Sequence, residues 1–347
     1  MIVAKKASDF AHGKRLETWT IKGKGPHGLM VSRDLHVAHI TGSAGPGPTL
    51  LFTGTIHGDE YEGPAALNHL IRTLDARTLA GRVIVLSVAN PPALEARKRR
   101  SPFDDTDLNR AFPGDPNGTL SQAIAAWMVA ELLPLADIVI DIHAAGDDAF
   151  LVPGPLGHPL TDPVQREKTL GLMRAFATPC ALIADEAQAE SMWDYQVEQS
   201  GKIFLTAEMG SAATLTPQSY AMTQRSIQNC LVQLDMLDAP AHAYQPWQDW
   251  SQPKLLIAQQ DSFLTIPYSG FFVPHASAGQ SVAKGDLLGT LQDVSQPTKE
   301  PEPLLSDRDG VIYAMPTGGV VDMRQYWLVI AREVPWAVQS YDGLETA

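Results

Sequence analysis

The amino-acid sequence predicts an α/β protein: a mostly parallel mixed sheet flanked by helices, with a smaller C-terminal all-β domain. Three observations carry this. Short apolar runs rich in Val, Ile, Leu and Phe alternate with segments of helical period, the pattern of strands buried on both faces and joined by crossover helices. Beyond residue 237 the helical period stops, and short strand-like runs alternate with Gly and Pro turns. Between the two parts lies a linker-like stretch, "DAPAHAYQPWQDWSQP". The expected units are therefore 1–240 and 250–340.

Taken in order, the strands are "TLLFTGT", "RVIVLSVAN", "DIVIDIH" and "KIFLTAE". The helices are "GPAALNHLIRTLDA", "TLSQAIAAWMVAELL", "PVQREKTLGLMRAFA" and "TPQSYAMTQRSIQNCLVQLDML", each with apolar residues three and four apart. In the C-terminal part "SGFFVP", "LLGTL" and "GVIYAMP" read as short strands.

Composition narrows the function. The chain has 347 residues, 44% hydrophobic and 19% charged, as in an ordinary globular protein. A net charge of -13 argues against nucleic acid or an anionic membrane as the main partner. Cys180 and Cys230 are far apart and form no CxxC pair, which argues against a disulfide framework or a cysteine zinc cluster. The N-terminal segment has no long apolar core, and no run approaches a membrane span, so the expectation is a cytoplasmic protein. Asn117, in "NGT", then reads as a turn.

In open α/β sheets, sites form at the carboxyl ends of the strands. The first strand here runs into His57-Gly-Asp-Glu60, and the second into a basic loop, "NPPALEARKRRSPFDDTDLNRAFPG". The third ends in Asp141-Ile-His143 and the fourth in Glu208. A single acid at a strand-to-helix turn is an ordinary cap; four polar endings together form a candidate site. A catalytic zinc takes three protein ligands, often two His and a carboxylate. His57 and Glu60 could reach one ion from one turn, and His143 would complete the set. The chain has no H-E-x-x-H, and the other histidines fall in a helix, a terminus, early strands or loops.

"HGDE", "DLNRAFPG", "DIH" and "AEMG", in that order, resemble the succinylglutamate desuccinylase/aspartoacylase family, zinc-dependent amidohydrolases with a carboxypeptidase-like fold. The resemblance implies one zinc per chain on His57, Glu60 and His143, with Glu208 as general base. It makes Asn109 and Arg110 a clamp for the substrate carboxylate and Asp107 a partner behind a ligand histidine. An arginine before "DLNR" polarises the scissile carbonyl in the family; Arg99 matches by spacing, with Arg97 and Arg100 as neighbouring registers. The chain departs from the family's usual pattern after Glu208, where it has "MGSAATLT" and relatives often have a glycine cluster, a difference that bears on the pocket shape and hence the substrate.

The C-terminal stretch "GQSVAKGDLLG" resembles the turn of lipoyl- and biotinyl-type sandwiches. Carrier domains hold their lysine on a tight hairpin, whereas Lys299 lies in the long, proline-rich "QDVSQPTKEPEPLL"; a scaffold role that walls the pocket is expected. The functional expectation is a zinc-dependent deacylase acting on a small N-acyl amino acid. The family includes N-acetyl-diaminobutyrate deacetylases with this layout, which points to a short acyl group. The alternatives are a carboxypeptidase-like peptidase and a binding protein that kept the fold without the chemistry. The expected partner is a small molecule bearing a carboxylate; homo-oligomerisation stays open.

Overall fold

The computed structural model describes residues 4–10, 13–185, 189–323 and 328–336. The chain opens with an antiparallel meander, β1 (Ala4–Phe10), β2 (Lys14–Lys24) and β3 (Met30–Thr41). Then follow β4 (Gly45–Gly54), α1 (Glu62–Thr73), β5 (Ala80–Leu86), α2 (Pro91–Ala96), α3 (Leu120–Trp127) and β6 (Ile138–His143). Next come β7 (Ala149–Leu151), β8 (Gly154–Gly157), α4 (Pro163–Ala175), β9 (Cys180–Ala184), α5 (Trp193–Gln199), β10 (Ile203–Glu208) and α6 (Pro217–Gln233).

The remaining elements are strands apart from short turns: β11 (Lys254–Ala258), β12 (Phe263–Leu264), β13 (Gly270–Pro274), β14 (Ser281–Val282) and β15 (Leu287–Gln292). After them come β16 (Glu302–Leu305), β17 (Gly310–Pro316), β18 (Gly319–Val321) and β19 (Leu328–Val334).

One large sheet runs in the order β1-β2-β3-β5-β4-β6-β10-β8-β9-β11-β19-β17-β14. Its centre, β5-β4-β6-β10, is parallel throughout. A smaller antiparallel sheet, β16-β15-β13-β18, lies apart from it. The expected α/β architecture with a smaller β region is thus the observed one. The C-terminal chain does not stand off, however: β11 pairs parallel with β9, and β19 and β17 follow it into the large sheet.

Strand alternation builds the core. Leu50 and Phe52 of β4, with Ile138, Ile140 and Ile142 of β6, pack on the face covered by α1, α4 and α6. Leu51 and Val139 face the other way, with Trp127 and Trp193. Because side chains alternate along a strand, one apolar run fills both layers.

The predicted helix "TLSQAIAAWMVAELL" is only partly regular. A Thr119–Gln122 capping box starts α3, but the chain widens into a π turn at Met128–Leu132 and tightens into a 3-10 turn at Leu133–Leu135. Pro134 has no N–H to continue an α-helical ladder. Among the described residues no helix is long and apolar enough to cross a membrane.

Cys180 and Cys230 are both free and buried, and burial pushes both thiols up. In the native protein an aromatic disulfide reagent should therefore titrate neither thiol over minutes, and both after unfolding. Rapid native reaction of either would show that its part of the core opens.

Candidate active site

The site is built on the turn after β4. Thr55 leaves the strand with φ 57, and its hydroxyl donates to the Ser87 carbonyl at 3.1 Å. The Asn90 amide donates to the Ile56 carbonyl at 3.1 Å, so the turn is held against the end of β5. The Gly58 N–H donates to the Lys98 carbonyl at 3.0 Å. A Cβ on Gly58 would lie 1.9 Å from the Ala93 carbonyl carbon, so this residue has no room for a side chain. Held in this way, His57 and Glu60 face His143 at the end of β6.

Three buried side chains converge. His57 Nδ1 lies 2.6 Å from Glu60 Oε1, and His143 Nδ1 lies 2.8 Å from Glu60 Oε2. The two Nδ1 atoms are 3.2 Å apart. One ligand atom from each of the three residues falls within 4.8 Å of the others, with all three side chains buried. The outer ring nitrogens are held from behind. His57 Nε2 is 3.1 Å from Asp107 Oδ1, and His143 Nε2 is 2.8 Å from Asp141 Oδ2. Thr53 in turn donates its hydroxyl to Asp141 Oδ1 at 2.7 Å.

This arrangement fits a metal. Carboxylates behind Nε2 hold the ring protons on the outside, which leaves the Nδ1 lone pairs and the Glu60 carboxylate pointing at one another. Acceptors so close need a positive charge between them. Two imidazoles and a carboxylate, each with a carboxylate or imidazole partner, are a donor set suited to zinc.

The electrostatics agree. Burial works against charge on His143, yet Asp141 and Glu60 hold its pKa well above the usual histidine value. For His57, burial and Arg99 oppose protonation, but Glu60 and Asp107 outweigh them and raise the pKa. Burial alone would raise Glu60; the two histidines instead hold it far below the usual carboxylate range. In the absence of an ion, protons would thus take the central charge.

The basic loop supplies the rim. Asp107 caps the short turn Leu108–Arg110 by accepting from the Asn109 N–H at 2.9 Å. Arg99 Nε donates to Asp107 Oδ2 at 3.0 Å, and its Nη1 comes within 3.4 Å of His57 Nδ1. Of Arg97, Arg99 and Arg100, it is Arg99 that the structure brings to the cluster. Arg97 sits exposed in the left-handed cap of α2, and Arg100 reaches the Asp105 carbonyl. Asn109 is buried, and its amide oxygen accepts from the Trp193 N–H at 3.0 Å, which leaves its amide nitrogen as the donor. Arg110 is exposed and donates to the Asn109 carbonyl at 3.0 Å.

Glu208 lies directly beside His143, its register partner on the adjoining parallel strand, and the Met209 N–H donates to the His143 carbonyl at 2.9 Å. Lys299 is on an exposed loop, paired with Glu302 at 2.6 Å. Sequence reasoning missed the roles of Asp141, Thr53 and Trp193. Asp141 was within reach, because residues two apart on a strand share a face. Trp193 is 84 residues from Asn109 and left no local signal.

Comparison with known proteins fits this geometry. The family whose model matches residues 46–234 is described as succinylglutamate desuccinylase/aspartoacylase catalytic domain. The N-alpha-acetyl-L-2,4-diaminobutyric acid deacetylase of Halomonas elongata is 35% identical over 292 residues, spanning 84% of each chain. The structure of a succinylglutamate desuccinylase/aspartoacylase from Rhodobacter sphaeroides superposes with a TM-score of 0.87 at 29% identity, covering 96% of this chain and 99% of that one. The product-bound ectoine utilization protein EutE (DoeB) from Ruegeria pomeroyi gives 0.86 at 29% identity, over 95% and 98%.

Gly58 offers a direct test of how the turn is held. Gly58→Ala should cost about 1–3 kcal/mol, the usual effect of forcing atoms into a packed site. Denaturant unfolding checks this, and stability equal to the parent protein would mean that the turn can move away from Ala93.

Proposed function

Because the chain belongs to the succinylglutamate desuccinylase/aspartoacylase family, we propose that it is a zinc-dependent deacylase that hydrolyses the amide of a small N-acyl amino acid. The observation that carries this reading is the convergence of His57, Glu60 and His143, with Glu208 on the adjoining strand and Arg99 at the rim. His57 Nδ1, His143 Nδ1 and the Glu60 carboxylate would hold the ion. The chemistry an ion supplies when bound is Lewis-acid polarisation of the carbonyl and a lowering of the water pKa to about 7.

The remaining work falls to the protein's own groups. Glu208 takes the proton of the attacking water and passes it to the departing nitrogen, so the amide bond breaks as a new carbon–oxygen bond is completed. Arg99, fixed by Asp107, offers N–H groups to the oxyanion. Asn109 and Arg110 bind the substrate carboxylate, for which a guanidinium provides two donors in one plane. Asp107 and Asp141 keep the two imidazoles in the orientation that presents Nδ1.

The Halomonas relative is named for removing an acetyl group from diaminobutyrate, and we take Nα-acetyl-2,4-diaminobutyrate as the first substrate to test. Two buried free thiols suit a reducing compartment, which supports a cytoplasmic assignment. Residues 1–240 would carry the chemistry, and 250–340 would act as an architectural unit with no attached cofactor.

Purified protein should contain about one zinc per chain. His57→Ala and His143→Ala should each empty the site while the fold survives; unchanged zinc in both would refute the ligand set. Since both histidines hold protons above the usual pH, zinc affinity should fall on acidification from neutrality, as protons compete for Nδ1.

Glu208→Gln keeps the size of the side chain and removes its basicity. Zinc content should match the wild type while kcat falls by roughly 10²–10⁴. Loss of zinc would make Glu208 a ligand instead, and a near-normal kcat would take it out of the reaction.

A further inference from the structure

Trp193 is wholly buried and far in sequence from the proposed ligands, yet its backbone reaches the rim of the site. Its N–H donates to Asn109 Oδ1 at 3.0 Å. Two residues earlier on the same segment, the Ser191 carbonyl accepts from the Phe112 N–H at 3.1 Å. The rings of Phe112 and Trp193 stack, with centroids 5.1 Å apart and planes at 27°. The loop after β5 is thus joined to the entry of α5 through a side chain, a backbone pair and a pair of rings. The Trp193 ring is set in the apolar layer with Leu51, Val139 and Phe204, so the joint is anchored in the sheet.

This joint decides which end of the Asn109 amide faces outward. A backbone N–H can only donate, so the amide atom against Trp193 is the oxygen, and Nδ2 takes the other side. Nδ2 donates to no described residue and is not sealed from solvent. With its oxygen engaged, Asn109 offers a ligand two N–H groups, which suit a carboxylate.

The backbone of Asn109 is held as well. Its N–H donates to Asp107 Oδ1, the same oxygen that stands 3.1 Å from His57 Nε2. Asn109 is therefore suspended between the turn that bears His57 on one side and Trp193 on the other.

We propose that Trp193 is a positioning residue for recognition of the substrate carboxylate: stacked on Phe112, it holds its own N–H where that group fixes the Asn109 amide with Nδ2 toward the ligand. The proposal rests on the deacylase reading and on the clamp within it. Trp193 touches no substrate and acts through Asn109 alone. Loss of its ring lets the amide turn, so the carboxylate loses a donor while the chemistry at the scissile carbonyl is unaffected.

Nα-acetyl-2,4-diaminobutyrate and its carboxamide, which lacks the charged carboxylate, form the test pair, with acetate release as the signal. The wild type should prefer the free acid by about tenfold or more, the scale of a hydrogen bond to a charged group. Trp193→Leu keeps the N–H and removes the stacked ring. It should raise KM for the acid about five- to tenfold with kcat within about twofold, and leave the carboxamide nearly unchanged. Trp193→Phe, which keeps a ring, should restore most of the preference. In an Asn109→Ala background, Trp193→Leu should change the preference no further, because the two residues act as one unit. Should Trp193→Leu not fold, Phe112→Leu removes the other half of the stack and carries the same expectations.

Equal losses on acid and carboxamide would make the stacked rings purely structural and overturn the proposal. So would a further loss of preference once Asn109 is gone. A wild type indifferent to the carboxylate removes the clamp and the proposal together. If zinc-loaded wild type releases acetate from neither compound, the deacylase reading itself fails, an outcome distinct from loss of preference alone.

Discussion

Two imidazole nitrogens and a carboxylate aimed at one point cannot rest there without a positive charge between them. Much of the surrounding architecture follows from that constraint. Nδ1 of His57 and of His143 stand 3.2 Å apart, and Glu60 lies against both. The rings cannot turn away, because Asp107 and Asp141 hold their other nitrogens. Those carboxylates are fixed in turn, Asp141 by Thr53 and Asp107 by Arg99 and the Asn109 backbone N–H. The buried polar network is therefore closed on its outer side and open only at its centre, where a cation would complete it.

The sheet makes such a network affordable. Leu50, Leu51, Phe52, Ile138, Val139 and Ile140 are nearly or wholly buried and make β4 and β6 rigid rods with apolar packing on both faces. Only at the carboxyl ends does the sequence change character, and there three neighbouring strands end together. Rigid rods fix where His57, His143 and Glu208 leave the sheet; short-range turn chemistry then fixes how the side chains point.

The sequence made the rods legible, because continuous apolar runs between helical periods have few other readings. It also made the three central residues legible, since strand ends are where α/β folds keep polar groups. The resemblance supplied roles for Arg99, Asn109 and Arg110. Spacing favoured Arg99 but left Arg97 and Arg100 as neighbouring registers, and the left-handed cap at Arg97, which ends α2 just before Arg99, is not written in the spacing. The N-terminal meander, which extends the sheet beyond β5, carried mixed polarity and no clean alternation that would announce it. The contact from Trp193 to Asn109 joins elements far apart in the chain, and no local pattern encodes it.

The joining of the C-terminal strands to the large sheet has a mechanical consequence. β17 pairs with β7, Val152 donates to the Tyr313 carbonyl at 2.8 Å, and Thr317 reaches the carbonyls of both Asp147 and Asp148. The segment so gripped continues directly from the Gly146 loop. The late part of the chain thus acts as a splint on a loop beside the His57–Glu60–His143 cluster. During synthesis the strands that lead to His57, His143 and Glu208 leave the ribosome before their splint exists. A chain halted in the linker would have all its chemical groups and yet lack the backbone partners that hold residues 147–152 in place.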